Sequence, residues 1–390
     1  MTEWIDISTP YLKGKEIEYL SECINSNYVS TVGPFIKKFE TEIGNHLGFD
    51  ESQIVATNSG TSALQLGLIS IGVKPNEIVI LPTYSFIATA NSITYLGANP
   101  WFIDVESEFL TLDPLDLEKE LKENTYKKNN STYLKKTDQR IACIVPVYVF
   151  GYPPDLNALN KIANDYSIPL LLDSACGIGS RYKGKNFSEL NMPGIISFNG
   201  NKTITSGAGG IFYSTDKKKV ALVRHLASTA KYSSNYKHDM VGFNYRMSNI
   251  QAALGLAQAE QLSKIIHKKK SINRIYYKEF KNLNYLKFID SPPWGESSYW
   301  INFFILDNKY LEKSEDLINF LNKNRIKVNY FWKPLHLQKP YYGALRSFQL
   351  NGYENLIQKK VIPLPSSSNL NKNDQAKIVN LIKTFFDQFK

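Results

Sequence analysis

The sequence has no apolar run near the roughly 18 residues that a membrane-spanning helix needs. Its first residues, MTEWIDISTPYLKGKE, carry charges where a secretory signal would need its apolar stretch. No membrane partner is expected, and the chain reads as cytoplasmic. Cysteine is scarce. Cys23, Cys143 and Cys176 are far apart and form no C-x-x-C pair, so neither a disulfide framework nor a cysteine zinc site is indicated, and Cys143, inside an apolar run, reads as a small core residue. The histidines, His46, His225, His238, His267 and His336, show no metal spacing, and no metal is expected. His238 and His336 lie near segments that could face a substrate, and are equally well read as surface or core residues. A full G-x-G-x-x-G with an acidic residue about 20 positions on is also missing, which argues against a dinucleotide loop at SGAGG. Internal repeats are absent.

What is present is a chain of 390 residues, 43% apolar and 13% aromatic, long enough for two or three packed domains. Its formal charge is +10. The lysines are spread along the chain, with short runs at Lys217 to Lys219 and Lys268 to Lys270, and no basic stripe is interleaved with aromatics. Nucleic acid is therefore not expected as a partner, and solvated lysine-rich faces account for the charge. A milder reading is a basic mouth that receives a diphosphate.

The chain is organised around Gly194 to Gly210, GIISFNGNKTITSGAGG. A short apolar run with the character of a buried strand is stopped by Asn199, Gly200 and Asn201, so Lys202 sits just past a strand end, where open α/β sheets bind ligands. Upstream, QIVATNSGTSALQLGLISIG passes from a strand through Asn58 to Thr61 into a helix. Such a helix N-terminus binds phosphate, although Ser and Thr there are equally good caps. Phe86 follows the next strand end, and core packing is its ordinary fate. Asp173 closes the run from Ile168 to Leu172, so its carboxylate emerges at a strand end and needs a partner, unless it only caps a turn.

Strands alternate with helices from about residue 50 to 215, which predicts an α/β domain with a mainly parallel sheet. Residues 118–139, polar and lysine-rich, read as an exposed helix end and loop. A long helix is predicted from about 250. The large domain is placed at 1–262, with the segment 1–35 packing on the smaller domain, and a smaller α+β domain at 263–390.

A phosphate-binding helix N-terminus, an aromatic, a carboxylate and a lysine together suit pyridoxal phosphate. Its phosphate, ring, pyridine nitrogen and aldehyde need these groups in turn. The chain resembles the nucleotide-sugar aminotransferases of the DegT type, within the fold-type-I pyridoxal phosphate enzymes. The resemblance rests on NSGTSAL, YSFIATANSITYLGANPWFIDVE, PVYVFGYPPDLNAL, SFNGNKTIT with SGAGG, and GFNYRMSNIQAALGLAQAEQL, in family order. It is nearest to enzymes that aminate C4 of a 4-keto-6-deoxy sugar, of the perosamine, legionaminic acid and bacillosamine types.

The resemblance implies an aspartate aminotransferase-like fold with a mainly parallel, seven-stranded-type central sheet, helices on both its faces, and the smaller C-terminal α+β domain. It implies Lys202 as the Schiff-base residue and proton shuttle, Asp173 on the pyridine nitrogen and Phe86 stacked on the ring. Gly60, Thr61, Ser62 and Ser197 would hold the phosphate, with Asn244 reaching it from the neighbouring subunit of a homodimer. It implies L-glutamate as amino donor and a nucleotide-linked keto-sugar as acceptor, for surface polysaccharide or nonulosonic acid synthesis. Another pyridoxal phosphate reaction, or a non-catalytic cofactor-binding regulator on the same fold, is the alternative.

Three departures from the family pattern stand out: Cys176 where Glu, Gln or His is usual, Ala208 within the glycine cluster, and Asn329 with Tyr330 for an Arg-Pro pair. The first and third are expected where substrate could touch. Lys202 argues against the dehydratase branch, which carries histidine there.

Overall fold

The computed structural model describes residues 4–233, 235–350 and 356–389; Met1 to Glu3 of the N-terminal segment lie outside the described residues. Among the described residues, seven short strands, β1 (Ile54–Thr57), β2 (Ile78–Pro82), β3 (Asn99–Ile103), β4 (Ile141–Ile144), β5 (Leu172–Asp173), β6 (Gly194–Ser197) and β7 (Gly210–Tyr213), build the central sheet, and a two-residue eighth, Leu345–Arg346, adds in parallel to the outer side of β3. The spatial order of the seven is β1, β7, β6, β5, β4, β2, β3. Isolated parallel bridges, Ile144 to Leu170 and Val147 to Asp173, join β5 to β4. All neighbours are parallel except β7, which runs antiparallel to both β1 and β6. Strands covered on both faces read as continuous apolar runs, which is why they are visible in the sequence.

Successive residues of one strand feed opposite cores, as the pleat demands. Ile54, Ala56, Ile196 and Ile211 pack with Phe35 and Phe39 of α2 (Pro34–Leu47) and Leu256 of α8 (Asn249–Ala259). Val55, Ile195 and Phe212 face the other way, onto α3 (Gly60–Ile71), α4 (Ala88–Thr94) and α7 (Lys217–Ala227). Cys143 is buried in that second core, as a small apolar residue would be.

α9 (Leu262–Phe280) leads to an antiparallel sheet of β8 (Leu286–Phe288), β9 (Asn302–Leu306) and β10 (Val361–Leu364), backed by α10 (Ser314–Lys323) and α11 (Lys372–Asp387). Near the N-terminus, Ile5 bridges Ile326 and the Ile7 carbonyl accepts the Ser366 N–H, so this segment straps the C-terminal sheet.

The stretch 118–139 differs from its reading as helix end and loop. α5 (Pro114–Asn124) is followed by a hairpin, Thr125–Lys128 against Ser131–Leu134. Asn129 and Asn130 take the left-handed conformation (φ 49° and 57°) that a two-residue hairpin turn requires. Tyr126 stacks on Tyr133 across the strands. Lysines on the exposed face hid the alternation.

A buried carboxylate fixes the edge of the sheet from which α3 departs. Glu40 accepts the Ala56 N–H at 2.7 Å and is gripped through both oxygens by Arg224 at 3.0 and 3.1 Å. Burial pushes the Glu40 carboxyl up, and Arg224 opposes that push. Arg224→Met is expected to cost about 3 kcal/mol, the bottom of the range for breaking a buried pair because the guanidinium is partly exposed. Urea unfolding against wild type checks this; an unchanged midpoint would show that Glu40 is neutral and needs no partner.

Candidate active site

The α3 N-terminus is pressed onto the sheet. Register aligns Thr57, Gly210 and Ser197 across β1, β7 and β6, and Ser59 caps the helix by accepting the Ser62 N–H. A Cβ on Gly210 would stand 2.6 Å from the Gly60 nitrogen, and one on Gly60 would stand 2.8 Å from Ser197 Cβ. Both positions therefore need glycine for the helix to approach so closely. The first N–H groups of a helix lack intrahelical partners, so Gly60 and Thr61, with the Ser197 hydroxyl, form a small anion cradle. The Ser62 hydroxyl is turned within the loop, to Asn58 Oδ1 at 2.7 Å and Ser59 Oγ at 2.8 Å.

Gly60, Thr61, Phe86, Asp173, Ser197 and Lys202 all line one cavity of about 310 Å³ at the ends of the strands. Lys202 is carried on a loop between β6 and β7 that returns to its root: the Lys202 N–H bonds the Asn199 carbonyl, and the Ser206 N–H bonds the Phe198 carbonyl. Its Nζ lies 3.0 Å from Cys176 Sγ and 4.1 Å from the centroid of a Trp300 ring. Asp173 is buried. Its Oδ2 accepts the Thr89 hydroxyl at 2.7 Å and its Oδ1 accepts the Ala175 N–H at 3.1 Å. Burial pushes its carboxyl up, while Thr89, the Ala175 N–H and the charge of Lys202 pull it down. Burial likewise raises the Cys176 thiol, against the pull of Lys202. Phe86 lines the cavity with 55% of its surface exposed, so it is not the core residue that a Phe in such a run usually becomes.

Pyridoxal phosphate fits these residues. The glycine cradle leaves room where a side chain would intrude, and the buried Asp173 carboxylate opens on the cavity with hydrogen bonds but no ion pair among the described residues. A cationic ring nitrogen would supply the charge it lacks.

Asn244 does not line this cavity. It is exposed, and its carbonyl accepts Asn58 Nδ2 at 3.3 Å, beside the cradle. Of the three departures, Cys176 and Ala208 line the cavity. Tyr330 does not: it packs into the C-terminal core and shares a hydrogen bond with Ser314, and its neighbours Phe331 and Trp332 are the lining residues. Among the described residues Lys202 is the sole basic residue on the cavity wall. His238 bonds the Thr229 carbonyl and His336 the Thr83 hydroxyl, both off the wall.

Thr89, Trp300, Phe331 and Trp332 were not singled out from sequence. Thr89, in the first turn of α4, lies four residues after Ser85 and shares a hydrogen bond with it at 3.0 Å. The tryptophans come from the C-terminal part of the chain and gave no local signal.

A family model described as the DegT/DnrJ/EryC1/StrS aminotransferase family matches residues 10–383. EpsN of Bacillus subtilis (strain 168), a protein named for pyridoxal phosphate-dependent aminotransferase activity, is 33% identical over 99% of this chain and 97% of its own length. GDP-perosamine synthase of Vibrio cholerae is 31% identical over 98% of this chain and 99% of its own. UDP-4-amino-4,6-dideoxy-N-acetyl-beta-L-altrosamine transaminase of Campylobacter jejuni subsp. jejuni serotype O:23/36 (strain 81-176) is 27% identical over 96% of each. Among solved structures, the aminotransferase TlmJ from Streptoalloteichus hindustanus shares the fold with a TM-score of 0.87 over 99% of both chains, at 24% identity.

Gly60→Ala is expected to weaken cofactor binding at least about tenfold while the protein stays folded, because the added methyl fills the cradle against Ser197. Titration of the variant with pyridoxal phosphate, followed by absorbance, measures it. Wild-type affinity would place the phosphate elsewhere.

Proposed function

The chain belongs to the DegT/DnrJ/EryC1/StrS aminotransferase family, whose members work with pyridoxal phosphate, and from that premise we propose that it moves an amino group from L-glutamate to a nucleotide-linked keto-sugar. The carbon aminated is C4 of a 4-keto-6-deoxy hexose. The observation that carries this reading is the convergence of the Lys202 amine, the buried Asp173 carboxylate and the Gly60–Thr61 cradle on one cavity. The names GDP-perosamine synthase and UDP-4-amino-4,6-dideoxy-N-acetyl-beta-L-altrosamine transaminase support a nucleotide-linked amino sugar as product, and the second supports C4.

Pyridoxal phosphate, when bound, supplies a carbon that takes up and releases the amino group and a ring that withdraws the electrons left by the departing Cα proton. In our reading Lys202 holds the cofactor and, once freed, its Nζ carries the proton from donor Cα to the cofactor carbon. Asp173, oriented by Thr89 and the Ala175 N–H, keeps the ring nitrogen protonated, without which that proton is not acidic enough to leave. Gly60, Thr61 and Ser197 bind the phosphate, and Phe86 covers a ring face. Trp300, Phe331 and Trp332 exclude water and offer flat apolar surfaces to the sugar. Asn244, exposed beside the cradle, is offered to a second copy in a homodimer.

The purified protein with pyridoxal phosphate is expected to show a visible absorption band that L-glutamate bleaches. One member of a panel of UDP-, GDP- and dTDP-linked keto-sugars should restore it. A band that ignores glutamate would indicate another donor or a non-catalytic role. Lys202→Ala should lose both the band and turnover, and ordinary turnover in that variant would remove Lys202 from its role. Asp173→Asn, nearly isosteric, is expected to lose on the order of 10²-fold or more in kcat, because an amide cannot hold a pyridinium proton. Near wild-type kcat would show that another group does so.

A further inference from the structure

Lys269, on α9, is 2% exposed, yet it ends in a titratable amine. Its Nζ donates to two backbone carbonyls, that of Trp300 at 3.0 Å and that of Ser366 at 2.9 Å. No carboxylate pairs with it among the described residues, and burial alone pushes its pKa down to about 7. An apolar side chain would fill the same space without the cost of desolvating a charge. The two carbonyls it joins show what the charge is for.

Ser366 belongs to the segment strapped by the N-terminus. Its N–H bonds the Ile7 carbonyl, and its hydroxyl accepts from the N–H and Nδ2 of Asn302 in β9. Trp300 lies two residues before Asn302, and its indole Nε1 donates to the Asn201 carbonyl at 2.6 Å. That same carbonyl accepts the Ser8 hydroxyl at 2.9 Å. The indole face meets Lys202 Nζ, one residue beyond Asn201. On the other side, Ser298 anchors the segment to the Cys176 carbonyl at 2.9 Å. Trp300 is thus pinned at its backbone by Lys269 and at its ring edge by the loop that carries Lys202.

We propose that Lys269 is a positioning residue for the active site: by holding the Trp300 carbonyl it sets the indole face over Lys202 Nζ. An indole face favours a cation, so its placement biases the charge on the nitrogen of Lys202. The inference rests on Lys202 as the cofactor lysine, and the test separates the two claims.

Lys269→Met, Lys269→Arg, Lys269→Gln and Trp300→Phe are made in the full chain. In the cofactor-free protein, Lys269→Met is expected to raise acrylamide quenching of tryptophan fluorescence, and the increment should vanish in the Lys269→Met, Trp300→Phe double variant. With cofactor bound, the midpoint at which the visible band titrates with pH should fall by about half a unit or more in Lys269→Met and in Trp300→Phe. Lys269→Arg, which keeps a charged donor, should recover most of it. A folded Lys269→Met with wild-type quenching and midpoint overturns the proposal. So does a shift in Lys269→Met with none in Trp300→Phe, since Lys269 would then act by another route. Lys269→Gln keeps two N–H donors on a shorter, uncharged arm and should give a smaller shift; where the methionine variant does not fold, a wild-type midpoint in Trp300→Phe overturns the proposal. If Lys202→Ala keeps the visible band, the role of Lys202 fails instead, and the quenching result still reads the hold on Trp300.

Discussion

A carboxylate buried at a strand end is the constraint around which this molecule is arranged. Among the described residues Asp173 has no ion pair, and two hydrogen bonds do not balance the loss of water around a full charge. The fold brings α4 across the sheet so that Thr89 reaches one oxygen, and it turns the chain after β5 so that the Ala175 N–H reaches the other. The remaining requirement, a positive partner, is left open on the cavity side. In the proposed reading, stability and cofactor binding would be coupled at this one group, because a cationic ring nitrogen would favour the ionised carboxylate that burial disfavours.

The sequence made the inner sheet legible because strands covered on both faces exclude polar residues. Each of β1, β2, β4, β6 and β7 stands out as a short apolar run ended by a turn. The site residues at those ends were legible for the same reason, since a charge that closes a buried run must meet a partner or open onto a cavity. The outer wall was not. Trp300 and Trp332 lie about 100 residues or more beyond Lys202, in a part of the chain whose aromatics are mostly core. No local pattern tells a tryptophan that faces a cavity from one that fills a core. The hairpin at 125–134 was hidden differently, because one of its faces is solvated and lysine masks the period of two.

The two halves of the cavity wall differ in chemistry as well as in origin. The strand ends supply the amine, the carboxylate and the helix N-terminus. The C-terminal part supplies flat aromatic surface and, through Lys269 and the strap from Ile5 to Thr9, the fixings that keep it in place. Cys176 lies between them, against Lys202, as a soft and weakly polar contact that leaves the amine free of a competing carboxylate.

The antiparallel insertion of β7 bears on the order in which the chain can be completed as it is made. β1 has its strand partner in residues 210–213, roughly 150 positions later, with an isolated bridge from Thr57 to Arg246 later still, and until they arrive its edge is unpaired while α2 and α3 already flank it. The loop bearing Lys202 is the connection that delivers β7 to that edge. Closing the sheet and presenting the lysine are thus a single late event. A nascent chain that stalls before residue 210 leaves β1 with an open, apolar edge.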